Sequence, residues 1–251
     1  MVNDGLTDRA YWIKYWKNYL DAPIASEPAV PTDLLETVAS IWFNAGFPGP
    51  GSTFLEVGGF PGRFCAYFKK ACGYDVTILD FVVVDEVLRS VERINGIPQG
   101  SIKSIEADFL KFCPKQKFDV VYSAGFIEHF TDTRAVIEKH VACLNDGGGL
   151  FISLPNLRGL SGWVIKRFDR KTYDAHNISS MHIPLLREIC EGLNLISVTV
   201  FYFGRPCVYL DQPEMVHPVI RKLIGLTSMI VSRLPWKARW LSPHIGIVAR
   251  R

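Results

Sequence analysis

The residues from Thr53 to Phe68 read TFLEVGGFPGRFCAYF, and the chemistry of this stretch lies in its glycines. An apolar run of β type leads into Gly58, Gly59 and Gly62, after which Phe64, Tyr67, Phe68 and Ala71 recur at helical spacing. A strand that turns at glycines into a helix lets backbone approach a ligand closely, because positive φ and close approach are both closed to residues with a Cβ. The helix then offers unpaired N–H groups to whatever occupies the turn. About twenty residues further on, Asp80 closes the apolar stretch Val76–Leu79, and a carboxylate there accepts hydrogen bonds from both hydroxyls of a ribose. A dinucleotide fingerprint requires glycines at first, third and sixth positions. Counting from Gly58, the third and sixth places hold Phe60 and Arg63, so a nicotinamide cofactor is not expected.

The histidines are the next groups with reactive potential. Glu128 and His129 follow the buried strand Phe118–Tyr122, and His176 and His182 fall in a segment of low apolar content between Leu157 and His182. An imidazole titrating near working pH is suited to removing a proton from a hydroxyl. The six cysteines are scattered, with no CxxC and no paired histidine spacing, so no metal site is expected.

Positioning these groups takes an alternation of strands and helices. Helices are expected over residues 8–20, ended by Pro23, and over Asp33–Asn44, entered from Pro31 and left at Gly46 and Pro48. Further helices are expected at Asp85–Asn95, Arg134–Leu144 and Pro184–Leu193, with strands at Ile102–Ala107, Phe118–Tyr122, Leu150–Leu154, Leu195–Phe203 and His244–Ala249. Such alternation implies an α/β protein with a doubly wound, mostly parallel sheet covered on both faces. Residues 157–182 read as a long loop over the carboxyl edge of the sheet, where open α/β sheets bind ligands. The aromatics Tyr11, Trp12, Tyr15 and Trp16 either pack on the core or form a lid over a ligand.

Glu56-Val57-Gly58-Gly59-Phe60-Pro61-Gly62 resembles the first motif of class I S-adenosylmethionine (SAM) dependent methyltransferases, with Phe60 where the family has its middle glycine. Asp80, then Asp108 with Phe109, then the strand leading to Ile127-Glu128-His129 follow in that family's order, and the last trio is similar to ubiquinone-pathway and other small-molecule members. The resemblance implies a Rossmann-like seven-stranded sheet with an antiparallel last strand, and SAM as cofactor. It implies cofactor contacts at Glu56, Gly58, Gly59, Phe60, Gly62, Asp80, Phe81, Asp108, Phe109 and Ser123, with Asp108 on the adenine amine and Phe109 on the ring. Substrate contacts are expected at Tyr11, Tyr15, Glu128, Asn156, His176 and His182. His129 is the expected catalytic base, or else a residue that orders its loop. The expected domains are a helical lid (1–48), a SAM-binding core (49–204), a basic and apolar insert (205–243) and a final core strand (244–251). The implied reaction is methyl transfer to a small or carrier-linked acceptor at oxygen, the alternatives being a sugar or lipid-linked glycan, or a non-catalytic scaffold.

Bulk properties limit the partners. The chain of 251 residues is 48% hydrophobic and 21% charged, an ordinary globular composition. Its net charge of +3 hides an asymmetry: residues 205–251 hold eight Lys/Arg against two acids, net +6, and the remainder carries −3. Basic, apolar residues 215–240 would suit an anionic membrane surface, a pocket cap or a dimer face. No aromatic-basic nucleic-acid module is present, so nucleic acid is not an expected partner. Without an apolar signal core in MVNDGLTDRA or a run of about 18 apolar residues, a cytoplasmic protein, monomer or homodimer, is expected.

Overall fold

The computed structural model describes residues 5–20, 32–210, 216–234 and 239–251. The helix stop assigned to Pro23, the helix entry assigned to Pro31, and Trp236 and Lys237 of the basic insert lie outside the described residues. Two helices, α1 (Arg9–Leu20) and α2 (Thr32–Asn44), precede β1 (Thr53–Val57). Then α3 (Arg63–Cys72), β2 (Asp75–Asp80), α4 (Asp85–Asn95), β3 (Lys103–Glu106) and β4 (Phe118–Ala124) alternate. After β4 come α5 (Thr133–Ala142), β5 (Leu144–Pro155), α6 (Leu160–Phe168), α7 (Arg170–Asp174), α8 (Ile183–Gly192), β6 (Ile196–Phe203), α9 (Pro218–Val231) and β7 (His244–Arg250).

The seven strands form one sheet in the order β3-β2-β1-β4-β5-β7-β6. The pairs from β3 through β5 are parallel, and β7 runs antiparallel to both of its neighbours. Successive residues of a strand face opposite sides, so Phe54 and Leu55, both fully buried, enter different cores. Leu55 joins Leu79, Val121, Ile152 and the helices α5 and α8, whereas Phe54 joins Ile78, Val120 and Phe151 beneath α2 and α3. Helix α2 belongs to that second core: Val38 and Trp42 recur one turn apart and are buried, with the Trp42 indole donating to Tyr74 Oη at 2.9 Å.

The long loop expected over residues 157–182 is instead α6, α7 and a 3₁₀ turn at Ile178–Met181. Leu160, Val164 and Phe168 form an apolar stripe that packs with Val208, Leu241 and α9 residues in a third, smaller cluster, while Lys166 and Arg167 between them face out. That cluster joins α6 to the insert at the carboxyl edge of the sheet. All six cysteines are free, and Cys113 is exposed rather than in the core.

Candidate active site

The glycine turn between β1 and α3 is held by backbone and by buried acids. Gly58, at φ +65°, donates its N–H to Leu79 O at 2.7 Å, and a Cβ there would overlap the Phe126 ring. Gly62, at φ +88°, stands at the N-cap of α3 and has no side chain to cap it. Glu56 supplies that cap from below, its Oε2 accepting the Cys65 N–H at 2.9 Å. Glu56 is buried and lines neither of the two cavities at this edge; its side chain braces the turn.

Burial raises the Glu56 pKa to about 8, against the opposing pull of its bonds to Cys65. Since the unfolded value is near 4.5, folding at pH 7 takes up a proton, and stability falls as pH rises between those two values. The cost at neutral pH is about 3 kcal/mol. Glu56→Gln keeps an oxygen for the Cys65 N–H without the charge, so a thermal melt at pH 7.5 should show a higher Tm than wild type, and at pH 4.5 little difference.

Asp80 ends β2 directly beside the turn. Its Oδ2 accepts the Phe60 N–H at 3.0 Å and its Oδ1 the Val82 N–H at 3.2 Å, so the acid and the turn fix each other. Phe60, in the place of the family's middle glycine, turns its buried ring against Trp16, with centroids 5.2 Å apart. Asp80, Phe81, Ala107, Phe109 and Phe126 line a narrow slot of about 30 Å³ at the ends of β2, β3 and β4. Asp108 stands in the slot's wall by sequence, but its carboxylate pairs with Lys111 at 2.8 Å and accepts the Leu110 N–H at 3.1 Å, and does not line the slot. Ser123 is fully buried and bonded to His140 Nε2 at 3.1 Å, away from the slot. His140 in turn packs its ring against Phe109, backing the aromatic wall, a role that a lone histidine on a helix does not announce.

Burial raises the Asp80 pKa to about 6, with the Phe60 and Val82 N–H groups pulling the other way. The ionised form accepts ribose hydroxyls best and attracts a cationic ligand. SAM affinity should therefore hold above pH 6 and weaken about tenfold for each unit below it, which calorimetric titration across pH 5–8 would show.

Helix α1 lies over this edge. Arg9 donates to Glu106 Oε1 at 2.6 Å and to Phe81 O at 3.1 Å, and Leu6 N–H donates to His129 O at 2.7 Å. Trp12 and Trp16 reach into both the slot and a larger cavity of about 370 Å³ beside it. That cavity is lined by Tyr11, Tyr15, Phe60, Glu128, His129 and His176, among others, and it meets the slot at Gly58 and Gly125. Trp12 and Trp16, four residues apart, share a helix face with this role; of the four aromatics read as core packing or a lid, only Tyr11 and Tyr15 were expected as substrate contacts.

His129 Nδ1 donates to Ala175 O at 3.1 Å, since a carbonyl only accepts, and this fixes Nε2 as the lone-pair nitrogen of the neutral ring. Burial lowers its pKa to about 4, the nearby His176 adding to the effect. His176 Nδ1 likewise donates to Thr172 O at 2.6 Å. Glu128 Oε2 is buried and makes no hydrogen bond among the described residues. Two other expected substrate residues lie elsewhere. Asn156 is consumed by the chain, its Nδ2 donating to Arg239 O at 2.7 Å and Ser242 O at 2.8 Å. His182 is exposed at the start of α8 and lines neither cavity.

A sheet with a single reversed strand, a glycine turn facing an acid at the end of the second strand, and an adjoining cavity at the carboxyl edge together make a Rossmann-like methyltransferase fold. The chain matches the family described as Methyltransferase domain over residues 30–199 and belongs to it. No curated protein sequence matches it. Among solved structures it is similar to a phosphoethanolamine N-methyltransferase of Haemonchus contortus in complex with phosphomonomethylethanolamine and S-adenosylhomocysteine (15% identity, TM-score 0.61, 97% of this chain and 57% of that one). The chain thus spans little over half the length of that relative. It is also similar to a Burkholderia thailandensis 1,6-didemethyltoxoflavin-N1-methyltransferase with bound substrate and S-adenosylhomocysteine (14% identity, TM-score 0.54, 97% and 86%). A third is a Streptomyces coelicolor geranyl diphosphate C-methyltransferase (15% identity, TM-score 0.58, 85% and 77%). The neighbours methylate nitrogen and carbon, and their common ground with this chain is the fold.

Proposed function

We propose that the protein transfers the SAM methyl group to an oxygen of a small-molecule or carrier-linked acceptor held in the cavity beside the glycine turn. The observation that carries this reading is the junction of the two cavities at Gly58 and Gly125, with His129 on the acceptor side. SAM brings a methyl on a sulfonium whose leaving thioether needs no proton, so the protein's work is alignment and exclusion of water. Asp80 receives the ribose, Phe81 and Phe109 flank the adenine, and the bare Gly58 lets the cofactor approach the backbone. The aromatic face of α1 covers the reacting atoms. His129, its Nδ1 proton committed to Ala175, takes the acceptor's proton at Nε2.

The slot is narrow, and Trp12 and Trp16 line it from α1. Entry of an adenosyl group therefore requires Trp12 and Trp16 to swing out with α1, making α1 a lid latched by Arg9. Incubation with SAM carrying a ¹³C methyl, against fractions of small metabolites and carriers, tests the acceptor atom. A methoxy carbon resonance in the product supports transfer to oxygen; an N-methyl or C-methyl resonance overturns it.

A second reading, a lipid-linked acceptor reached at a membrane surface, is favoured by α9. Val219, Leu223, Leu226 and Ile230 make an exposed apolar stripe at helical spacing, Arg221, Lys222 and Arg233 flank it, and Trp163 and Trp240 are exposed nearby. No acid occurs from residue 216 to 234. In flotation assays the protein should then partition onto anionic phospholipid vesicles and not onto neutral ones, and Arg221→Glu with Lys222→Glu should abolish the difference. Equal recovery with both vesicle types would remove this reading.

A further inference from the structure

We propose that Glu128, His129 and His176 form a binding site for one divalent transition-metal ion, of the kind that imidazole and carboxylate share, at the acceptor end of the cavity. This deepens the methyl-transfer reading and rests on it for the identity of the cavity. One ligand atom from each of the three side chains lies within 4.8 Å of the other two, and all three side chains line the same cavity. Their linear spacing hides this, since Glu128 and His129 sit on a 3₁₀ turn after β4 while His176 follows α7.

Hydrogen bonding makes the cluster a built site. Each imidazole sends its Nδ1 proton away to a backbone carbonyl, His129 to Ala175 at 3.1 Å and His176 to Thr172 at 2.6 Å, leaving both Nε2 atoms as lone pairs. Metal-ligating histidines are oriented in this way by their second nitrogen. Glu128 Oε2, buried and without a hydrogen-bond partner, adds a third acceptor. The three ligand atoms converge on one point of the cavity wall, where an ion could take all of them. The two segments are also stitched together, Asn177 donating its N–H to Glu128 O at 2.6 Å and its Nδ2 to Phe130 O at 2.8 Å, which holds His176 beside His129. Two imidazoles and one carboxylate favour ions such as Zn²⁺, Co²⁺ or Mn²⁺ over Mg²⁺ and Ca²⁺. Three protein ligands leave positions open toward the cavity. An ion held by these residues would acidify an acceptor hydroxyl, whose proton would pass to water. The acceptor oxygen then forms the new O–C bond, and the C–S electron pair leaves with the thioether. With the ion present His129 is a ligand; without it His129 is the base.

The test is titration of full-length protein, freed of metal by chelator, with Co²⁺ followed by ligand-field absorption, and with SAM followed by calorimetry. One Co²⁺ per chain is expected, displaced by Zn²⁺. His176→Ala and Glu128→Gln should each weaken Co²⁺ binding by at least about 100-fold, since even outer-shell losses cost 10–100-fold, with SAM affinity within about threefold of wild type. Absence of Co²⁺ bands, or His176→Ala binding Co²⁺ as tightly as wild type, overturns the site. If Co²⁺ fails to bind while His129→Ala still abolishes turnover, the metal is refuted and the imidazole base stands. Failure of SAM to bind either form refutes the reading of the cavity instead.

Discussion

His129→Ala should lower turnover by about 10²- to 10⁴-fold while leaving SAM affinity within about twofold. The ring sits on the acceptor side of the junction between the cavities, 7% exposed, with its Nδ1 proton committed to Ala175. On the proposed mechanism its Nε2 lone pair receives the acceptor's proton, or binds the ion that displaces it, so the loss is expected in both cases. The same ring packs edge-on against Trp12, with centroids 5.1 Å apart, and its backbone carbonyl holds Leu6, so a purely structural role would also disturb the lid. The two roles separate experimentally. Loss of a chemical group lowers kcat with little change in SAM binding, whereas loss of a lid support weakens SAM binding and lowers the melting temperature. His129→Gln, which restores bulk but not the basic nitrogen, should remain as inactive as His129→Ala. Turnover within a few-fold of wild type in either variant would show that His129 neither takes the proton nor holds the ion.

Asp80→Asn should weaken SAM binding by about 100-fold, which corresponds to about 2.7 kcal/mol. Both oxygens of Asp80 already accept backbone N–H groups, from Phe60 in the glycine turn and from Val82. Each carboxylate oxygen retains capacity for a ribose hydroxyl. An amide offers a single acceptor oxygen, so one of the two backbone donors would face an NH₂ group, and the charge-assisted bonds to the ribose, worth roughly 1.5–3 kcal/mol, would be lost with it. The variant should also remove the fall in affinity below pH 6, because the titrating group is gone. A variant that binds as tightly as wild type and keeps that pH dependence would place the ribose elsewhere.

Much of the sheet is legible in the chain because it depends on local signals. Glycines bound the turn at Gly58 and Gly62, short stretches rich in apolar and β-branched residues mark most of the strands, and Asp80 closes one of them. Side-chain direction is a different matter. Glu56, Ser123 and Asn156 occupy positions that a cofactor or acceptor could share, but each turns inward: Glu56 to the N–H of Cys65, Ser123 to His140, and Asn156 to the carbonyls of Arg239 and Ser242. Residue type records a need for a polar partner without naming it. Asp108 is partly readable, since Lys111 follows at i+3 within reach of its carboxylate. Residues 157–182 misled because polar and basic residues, Ser161, Lys166 and Arg167, fall within the stripe of Leu160, Val164 and Phe168, whose helical character becomes evident only against Val208 and the insert. The meeting of His176 with Glu128 and His129 depends on long-range backbone bonds from Asn177 and to Ala175, which leave no periodic trace in the sequence.

The central claim is that SAM lies across the carboxyl ends of β1, β2 and β3, its ribose on Asp80, beneath the aromatic face of α1. A crystal structure of the protein with S-adenosylhomocysteine tests it most directly. The prediction is electron density with both ribose hydroxyls within hydrogen-bonding distance of the Asp80 carboxylate, the adenine between Phe81 and Phe109, and Trp12 and Trp16 shifted outward from the slot. Density for the ligand at any other edge of the sheet, or a fully occupied ligand leaving Asp80 bonded only to Phe60 and Val82, would contradict it.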